Sequence, residues 1–198
     1  MKLLIYIILP LLLSLAPGFT YAQESSQNPL ATAKNHLTFS AGYGEAIPGF
    51  GATKIRVRDA DFILRYGRYL TDEMGESWYR GRHSVLVEVP FYYVTNPKAS
   101  TMTGLNLLAC WDFTNISKKV VPYIFAGGGA VYISSSLPEM GSKINANYQA
   151  GGGLHYFLSR EIAIDINARY HHISNISTSS PNMPLNSVKG TIGISHFW

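Results

Sequence analysis

Strict alternation of apolar and polar residues is the feature that most constrains the fold of this chain. In the segment that begins at Glu161, every second residue from Ile162 to Tyr170 is apolar. The residues between them include Asp165, Asn167 and Arg169. Residues two apart share a face of a β-strand, so this segment has one apolar and one largely polar face. A soluble fold would turn the apolar face into its core, whereas a membrane barrel would turn it toward lipid.

Seven further segments show similar period-two patterning between turn residues. The eight predicted strands lie near 35–43, 60–71, 83–95, 100–113, 120–134, 143–158, 161–174 and 186–198. Segments of this length are long for a globular sandwich but suit strands that cross a membrane at a tilt. The fifth is apolar and glycine-rich on both faces, so its facing is left open. The charged segment 71–82 contains Gly75 and Gly81 and lacks an apolar stripe, which favours a loop over a helix.

The composition favours a barrel with an apolar exterior. Charged residues are only 14% of the 198-residue chain, which contains 13 Tyr and 18 Gly. An even number of antiparallel strands suits a closed membrane barrel, which leaves no unpaired edge in lipid. The chain ends in Phe197-Trp198, and a terminal aromatic on the last strand is a feature of bacterial outer-membrane barrels. We therefore predict an all-β fold, an eight-stranded antiparallel transmembrane β-barrel with a packed polar interior.

The polar faces of these strands supply the predicted interior. Its members are Asp61, Arg65, Glu88, Asn106, Asp112, Asn147, Asp165 and Arg169. Opposite charges among them would partly neutralise one another in a core that side chains fill. The alternative is a soluble, lipocalin-like barrel with the two faces reversed. Its surface would carry very few charges, which disfavours it.

The start of the chain has the pattern of a secretory signal peptide, predicted over residues 1–22. Lys2 gives a basic start, Leu3 to Leu15 is mainly apolar, and Thr20-Tyr21-Ala22 offers a small-residue cleavage site. The apolar run is too short for a membrane-spanning helix, which needs about 20 residues. Residues 23–34 are polar and are predicted to form a loose N-terminal tail, and residues 35–198 the outer-membrane β-barrel.

Charge and cysteine content exclude several function classes. The net charge of +4 is small and dispersed, so nucleic acid is not expected as a partner. A single cysteine, Cys110, allows no intramolecular disulfide, and no Cys/His cluster predicts a zinc site. Neither a metal nor a cofactor is expected. The expected partner is membrane lipid, and the sequence leaves the oligomeric state open, a homodimer included.

The apolar face of the seventh strand continues into residues that could do chemistry. Two further steps along it lead to His172 and Ser174. Asn186, near the start of the eighth strand, shares the parity of Val188 and Ile192 on the same outer face. Serine needs a base to act as a nucleophile, and an asparagine can fix the tautomer of a neutral imidazole. The other interpretation is an interfacial histidine with a hydrated tip and a serine that caps the loop entry.

Residues 170–187 resemble the signature of the lipid A 3-O-deacylase (PagL-type) family. The shared features are a His-x-Ser-Asn motif and a loop with Pro and Asn, and the family pattern continues with an acidic residue near the start of the last strand. The resemblance implies a serine esterase of the bacterial outer membrane that removes the 3-linked ester acyl chain from lipid A of lipopolysaccharide. His172 would be its base and Ser174 its nucleophile. Backbone amides at Asn175 and Ser177 would form the oxyanion hole.

Two positions depart from the family pattern. Asn186 occupies the place of the family's acidic residue, and Ser177 the place of a loop glycine. Asn186 can orient His172 but stabilises an imidazolium less than a carboxylate would. His171 has the opposite parity and is predicted to face the barrel interior. The competing hypotheses are a non-enzymatic structural or lipid-binding β-barrel and a soluble lipid carrier.

Overall fold

The computed structural model describes residues 28–135 and 140–198 as one closed antiparallel barrel. Its strands are β1 (Asn35–Ala46), β2 (Val57–Tyr69), β3 (Gly81–Asn96), β4 (Ser100–Phe113), β5 (Val120–Ile133), β6 (Ile144–Phe157), β7 (Ile162–Ser174) and β8 (Leu185–Phe197). Each strand pairs with the next, and β8 pairs with β1 to close the ring. The predicted eight-stranded fold is therefore confirmed. The predicted signal peptide and residues 23–27 lie outside the described residues.

The loops divide the barrel into two ends. The outer rim carries the loops 47–56, 97–99 and 175–184 and residues 134–135 and 140–143, and the terminal rim carries both ends of the described chain. Two single turns of 3-10 helix, Pro29–Ala31 and Ser77–Tyr79, lie at the terminal rim. Within residues 28–135 and 140–198, no helix is both long enough and apolar enough to cross a bilayer.

The outer face of the barrel is apolar, as the alternation predicted. Large apolar side chains point away from the barrel and are about half exposed to solvent, among them Phe39 at 59%, Leu107 at 61% and Ile192 at 58%. Such a surface would be unfavourable in water, but hydrocarbon is its natural solvent. On β5, whose facing the sequence left open, Tyr123 and Phe125 point inward and Ile124 points outward.

The barrel interior is a network of buried charges. All eight residues predicted to lie inside are buried. Glu88 is its centre, because it accepts hydrogen bonds from Arg65 Nε and Arg169 Nη1 at 2.8 Å each and from Gln149 Nε2 at 3.1 Å. Buried charges are tolerated only when they are paired and hydrogen-bonded, and this network meets both conditions.

A second buried ion group explains why β1 and β2 extend farther toward the outer rim than predicted. Lys189 Nζ donates to Asp59 Oδ2 at 2.7 Å and to Asp61 Oδ1 at 3.0 Å. Gly44 pairs with Asp59 across β1 and β2, and a Cβ at Gly44 would collide with Asp59 and Lys189. Glycine interrupts the side-chain alternation there without interrupting the strand, and this is why the sequence pattern ended β1 too early.

Apolar clusters close the interior at both rims. At the terminal rim, Leu30 is fully buried against Val121, Phe157 and Phe197. Arg82 Nη1 donates hydrogen bonds to the carbonyls of Leu30 and Ala33. Residues 28–34 therefore pack against the barrel instead of forming the loose tail expected there. The cause is Leu30, an apolar side chain in a polar segment, which fills the apolar cluster at the terminal rim. At the outer rim, the cluster consists of Ala46, Val57, Ile63, Tyr92, Val94, Met102, Val131, Ile133, Met140, Ile173 and Leu185.

A charge on the outer face should cost more near the middle of the barrel wall than near the rim. Ile192→Arg should destabilise the folded protein by about 2–4 kcal/mol, and Val188→Arg by about 0–1 kcal/mol, because the penalty falls with distance from the midplane. Urea unfolding in lipid vesicles measures both, with Ile192→Leu as control. Equal costs at the two positions would contradict the membrane placement.

Two Glu→Gln substitutions separate the buried network from surface charge. Glu88→Gln should cost about 3–5 kcal/mol, because it leaves the buried Arg169 without a carboxylate partner and Arg65 with only Asp165, at 3.7 Å. Glu45→Gln removes a carboxylate that also contacts two arginines, Arg56 and Arg58 at 3.3 Å each, but these are well exposed. Its cost should be about 0–1 kcal/mol. Unfolding of both variants under one condition measures the difference, and similar costs would contradict the assigned role of Glu88.

Candidate functional site

The three residues singled out by the sequence lie together on the outer face at the outer rim. His172 on β7 is paired in register with Asn186 on β8 and with Tyr148 on β6. Ser174, the last residue of β7, is opposite Ala146. His172 and Ser174 are half-buried, whereas Asn186 is only 4% exposed. The site is thus part of the barrel wall, where lipid meets the rim.

A hydrogen bond joins His172 to Asn186. His172 Nδ1 lies 2.8 Å from Asn186 Oδ1, and a carbonyl oxygen can only accept. Nδ1 therefore carries the proton in this bond. In the neutral ring, this tautomer leaves the lone pair of Nε2 free, which is the form of imidazole that can accept a proton from a nucleophile.

Aromatic side chains surround this pair. The Tyr148 ring stacks on the His172 ring with centroids 4.3 Å apart and planes 19° from parallel. The Tyr170 hydroxyl donates a hydrogen bond to Asn186 Oδ1, and Phe50 packs edge-on against Tyr170 at 5.7 Å. These contacts restrict the rotation of His172 and keep lipid and water from one side of it.

The β1–β2 loop covers Asn186. Thr53 Oγ1 accepts from the backbone N–H of Asn186 at 2.8 Å and from its Nδ2 at 3.0 Å. The Phe50 carbonyl accepts a further bond from Nδ2 at 3.2 Å. Asn186 is therefore buried although it lies on the outer face, because a loop and not lipid covers it.

Ser174 is near His172 but not bonded to it. Residues two apart in a strand are separated by about 7 Å between Cα atoms, so the two side chains are neighbours on one face. Among the hydrogen bonds of residues 28–135 and 140–198, none joins the Ser174 hydroxyl to His172. A rotation of the serine or imidazole side chain is needed to align them, and catalytic bonds are often long before substrate binds.

Two backbone amides that follow Ser174 in the β7–β8 loop differ in their hydrogen bonding. The N–H of Asn175 donates to Asn182 Oδ1 at 3.0 Å, so that amide already has a partner. The side-chain amide of Asn175 donates to the carbonyls of Ser179 and Pro181, which fixes the loop. Ser177 is exposed, and its N–H has no hydrogen-bond partner among the described residues.

The other histidines lie away from this site or inside the barrel. His171 is fully buried on the inner face, as its parity predicted, and packs against Tyr92. His155 lies between Asp112 and Asp165, at 3.5 and 3.2 Å. In the described part of the chain, no cluster of three or more His, Cys, Asp or Glu side chains could hold a metal ion.

Sequence reasoning missed five residues that build the site. Tyr148 and Tyr170 could have been found, because both share the outward parity of His172 and lie on the same or the adjacent strand. Phe50, Thr53 and Asn182 could not be placed, since they lie in loops where no alternation fixes the register. Their contacts depend on how the loops fold over the rim.

Comparison with known proteins identifies both the fold and a family. Residues 61–195 match the family model described as Lipid A 3-O-deacylase (PagL). The crystal structure of the outer membrane enzyme PagL is 16% identical, covers 80% of this chain and 97% of its own, and superposes with a TM-score of 0.57. A search of curated protein sequences gave no match.

Two other solved barrels are similar in fold. Neisserial surface protein A is 15% identical over 83% of this chain and 97% of its own, with a TM-score of 0.63. The N-terminal barrel domain of OprF from Pseudomonas aeruginosa is 14% identical over 84% and 99%, with a TM-score of 0.53. At such identities the structural likeness establishes the barrel fold alone.

The backbone at Ser177 predicts a stabilising substitution. Ile176 and Ser177 have φ angles of 53° and 60°, in the left-handed region that favours glycine. Ser177→Gly should stabilise the turn by about 1 kcal/mol, because glycine adopts this conformation without a Cβ clash. Hydrogen exchange of the Thr178 amide, which donates to the Asn175 carbonyl at 3.0 Å, reports on it. Faster exchange than in the unmodified chain would contradict this.

Proposed function

Since this chain belongs to the lipid A 3-O-deacylase (PagL) family of the bacterial outer membrane, we propose that it is a serine esterase acting on lipid A of lipopolysaccharide. The bond it cleaves is the ester of the 3-linked acyl chain. The observation that carries the proposal is the His172–Asn186 hydrogen bond, on the lipid-facing wall and beside Ser174. This bond leaves Nε2 of His172 free to act as a base.

The position of the site suits an ester that lies between headgroup and hydrocarbon. His172 and Ser174 lie on the outer face where β7 reaches the outer rim. With the outer rim at the cell surface, this is the depth of the polar–apolar boundary of the outer leaflet. A lipid could present its ester there without leaving the membrane, and water could reach the site from the rim.

The proposed reaction has two steps. Ser174 Oγ attacks the acyl carbonyl while His172 Nε2 takes its proton, and the ester C–O bond breaks as His172 returns that proton to the departing alcohol oxygen. Water activated by His172 then attacks the acyl-serine ester. This releases the free acid and restores the Ser174 hydroxyl.

Because Asn186 is neutral, the electrostatics around His172 differ from those beside a carboxylate. Asn186 holds the His172 ring through Oδ1 but brings no negative charge to stabilise the imidazolium. The stacked Tyr148 ring, 4.3 Å away, offers its electron-rich face instead. Cation–π contacts stabilise a nearby cation by about 0.5–2 kcal/mol, which offsets part of the missing carboxylate.

The loop amides differ in how they could hold the oxyanion. The N–H of Ser177, which has no hydrogen-bond partner within residues 28–135 and 140–198, is available as a donor. The N–H of Asn175 becomes available only when the Asn182 side chain turns away, since Asn182 Oδ1 accepts it at 3.0 Å. We therefore assign Ser177 as the first donor and Asn175 as one that joins after this movement.

The charge of the outer rim supports an anionic lipid as partner. In the described parts of the four outer-rim loops, every charged residue is basic: Lys54, Arg56, Lys98 and Lys143, of which Arg56 pairs with Glu45 on β1. Basic side chains at a membrane surface attract phosphate-bearing headgroups. Lys54 is exposed and directly follows Thr53, which contacts Asn186, so its backbone lies next to the site.

A second candidate is a non-enzymatic structural or lipid-binding barrel. The observation that favours it is the missing hydrogen bond between Ser174 and His172, together with an amide where the family has an acid. Both would be unremarkable in a protein that only binds lipid. The two functions are separated by one assay.

Substitution of either reacting residue should abolish deacylation. Ser174→Ala and His172→Ala should each lower the rate by at least about a thousandfold, and the double variant should lose no more, because the pair acts as a unit. His171→Ala, the same change on the inner face, should retain most activity. Mass spectrometry of lipid A from bacteria that produce each variant measures loss of the 3-linked chain.

Heat-dependent gel mobility shows whether each variant has folded. A folded Ser174→Ala protein that still deacylates lipid A would refute the serine mechanism. Unchanged lipid A in cells with the unmodified, folded protein would favour the non-enzymatic barrel.

A further inference from the structure

We propose that the β1–β2 loop sets the orientation of the Asn186 amide and thereby keeps His172 in the tautomer that can act as a base. Thr53 is the positioning residue in this arrangement: its hydroxyl, which can donate or accept, does not itself choose the amide orientation but holds the loop, and with it the Phe50 carbonyl, against Asn186. The proposal rests on the function proposed for His172, but its direct readout, the tautomer of one ring, does not require activity.

An amide at position 186 creates an ambiguity that a carboxylate does not have. A carboxylate has two oxygens, and both only accept hydrogen bonds. An amide has an oxygen on one side and an NH2 group on the other. If Asn186 were flipped, it would donate to Nδ1 of His172, and the ring proton would then lie on Nε2. The imidazole could no longer take the proton of Ser174.

The Phe50 carbonyl decides between the two orientations. Asn186 Nδ2 lies 3.2 Å from the Phe50 oxygen, which can only accept. The flipped amide would place two acceptors against each other there, which is unfavourable in a buried site. Tyr170 does not decide the orientation, because a hydroxyl can either donate or accept.

Thr53 holds the Phe50 carbonyl close to the Asn186 side-chain amide. Its Oγ1 accepts from both nitrogens of Asn186, at 2.8 and 3.0 Å, and its side chain is almost fully buried. The backbone N–H of Thr53 also donates to the Phe50 carbonyl at 3.3 Å. One residue thus links the loop backbone to the start of β8.

Gly51 allows the loop to approach this closely. Its φ is +56°, and a Cβ there would lie 2.8 Å from Asn186 Nδ2. An alanine at this position would push the loop or the amide away. The loop is therefore shaped to contact this amide, and the contact lies outside the pair that would react.

The first experiment reads the tautomer directly. The folded chain in detergent micelles, labelled with 15N histidine, gives imidazole nitrogen shifts that distinguish the two neutral forms. The His172 signal is identified by its loss in His172→Gln. We expect the Nδ1–H form in the unmodified protein. In Thr53→Val, which removes the hydroxyl at nearly constant volume, we expect a large share of the Nε2–H form.

The rate of deacylation should depend on the fraction of His172 in the Nδ1–H tautomer. In Thr53→Val, kcat should fall in proportion to the remaining Nδ1–H fraction, about tenfold if one tenth remains, with KM little changed. Thr53→Ser should restore both readouts. Thr95→Val removes a threonine hydroxyl at the same rim, one that donates to the Arg58 carbonyl at 3.2 Å, and should change neither.

Substitution of Asn186 by Asp tests whether the effect of Thr53 depends on the amide group. In Asn186→Asp, the carboxylate accepts from Nδ1 whichever way it turns, so adding Thr53→Val should leave the ring in the Nδ1–H form. If Thr53→Val does not fold, Gly51→Ala displaces the same loop and should shift the tautomer in the same direction.

The outcomes separate this proposal from the enzymatic one. An Nε2–H ring in the unmodified protein, or a tautomer unaffected by loop variants, would overturn the role of the loop even if lipid A is deacylated. A tautomer that follows the loop as predicted would support that role, even if no variant, including the unmodified chain, deacylates lipid A.

Discussion

The closure of β8 onto β1 is the constraint on which the rest of the structure depends. Hydrocarbon offers no hydrogen bonds, so every backbone N–H and C=O in the membrane must be paired within the protein. Pairing from His36 with Phe197 to Ala46 with Ser187 completes the ring. Closure also fixes the parity of every strand, because a shift of one residue would turn buried charges such as Arg169 toward lipid.

Parity in turn separates the protein into two chemical environments. The inner face holds Glu88 with Arg65 and Arg169, and Lys189 with Asp59 and Asp61. These buried ion pairs fill the barrel and stabilise it. On β7 the outer face is apolar from Ile162 to Tyr170 and then continues into His172 and Ser174, beside Asn186 on β8. Adjacent residues therefore have unrelated roles: His171 packs inside the wall, while His172 faces the lipid boundary.

Sequence could predict what alternation determines and little of what loops determine. The eight strands, the buried interior set and the shared face of His172, Ser174 and Asn186 all follow from period two. The ends of β1 and β2 were missed because Gly44 hides the alternation beside a buried ion pair. The packing of Leu30 into the terminal rim could not be predicted, because residues 28–34 show no period-two alternation. The burial of Asn186 by Phe50 and Thr53 could not be predicted either, because it depends on a loop contact between residues far apart in the chain.

The central claim is that a lipid-facing serine in the barrel wall is activated by His172. The most direct measurement is covalent labelling of the folded protein in detergent with a lipophilic fluorophosphonate, which reacts with activated serine hydroxyls, followed by peptide mass spectrometry. The account predicts one label, on Ser174, that disappears in His172→Ala and after heat unfolding but persists in His171→Ala. Labelling of a different serine, or labelling of Ser174 that does not depend on His172, would contradict it.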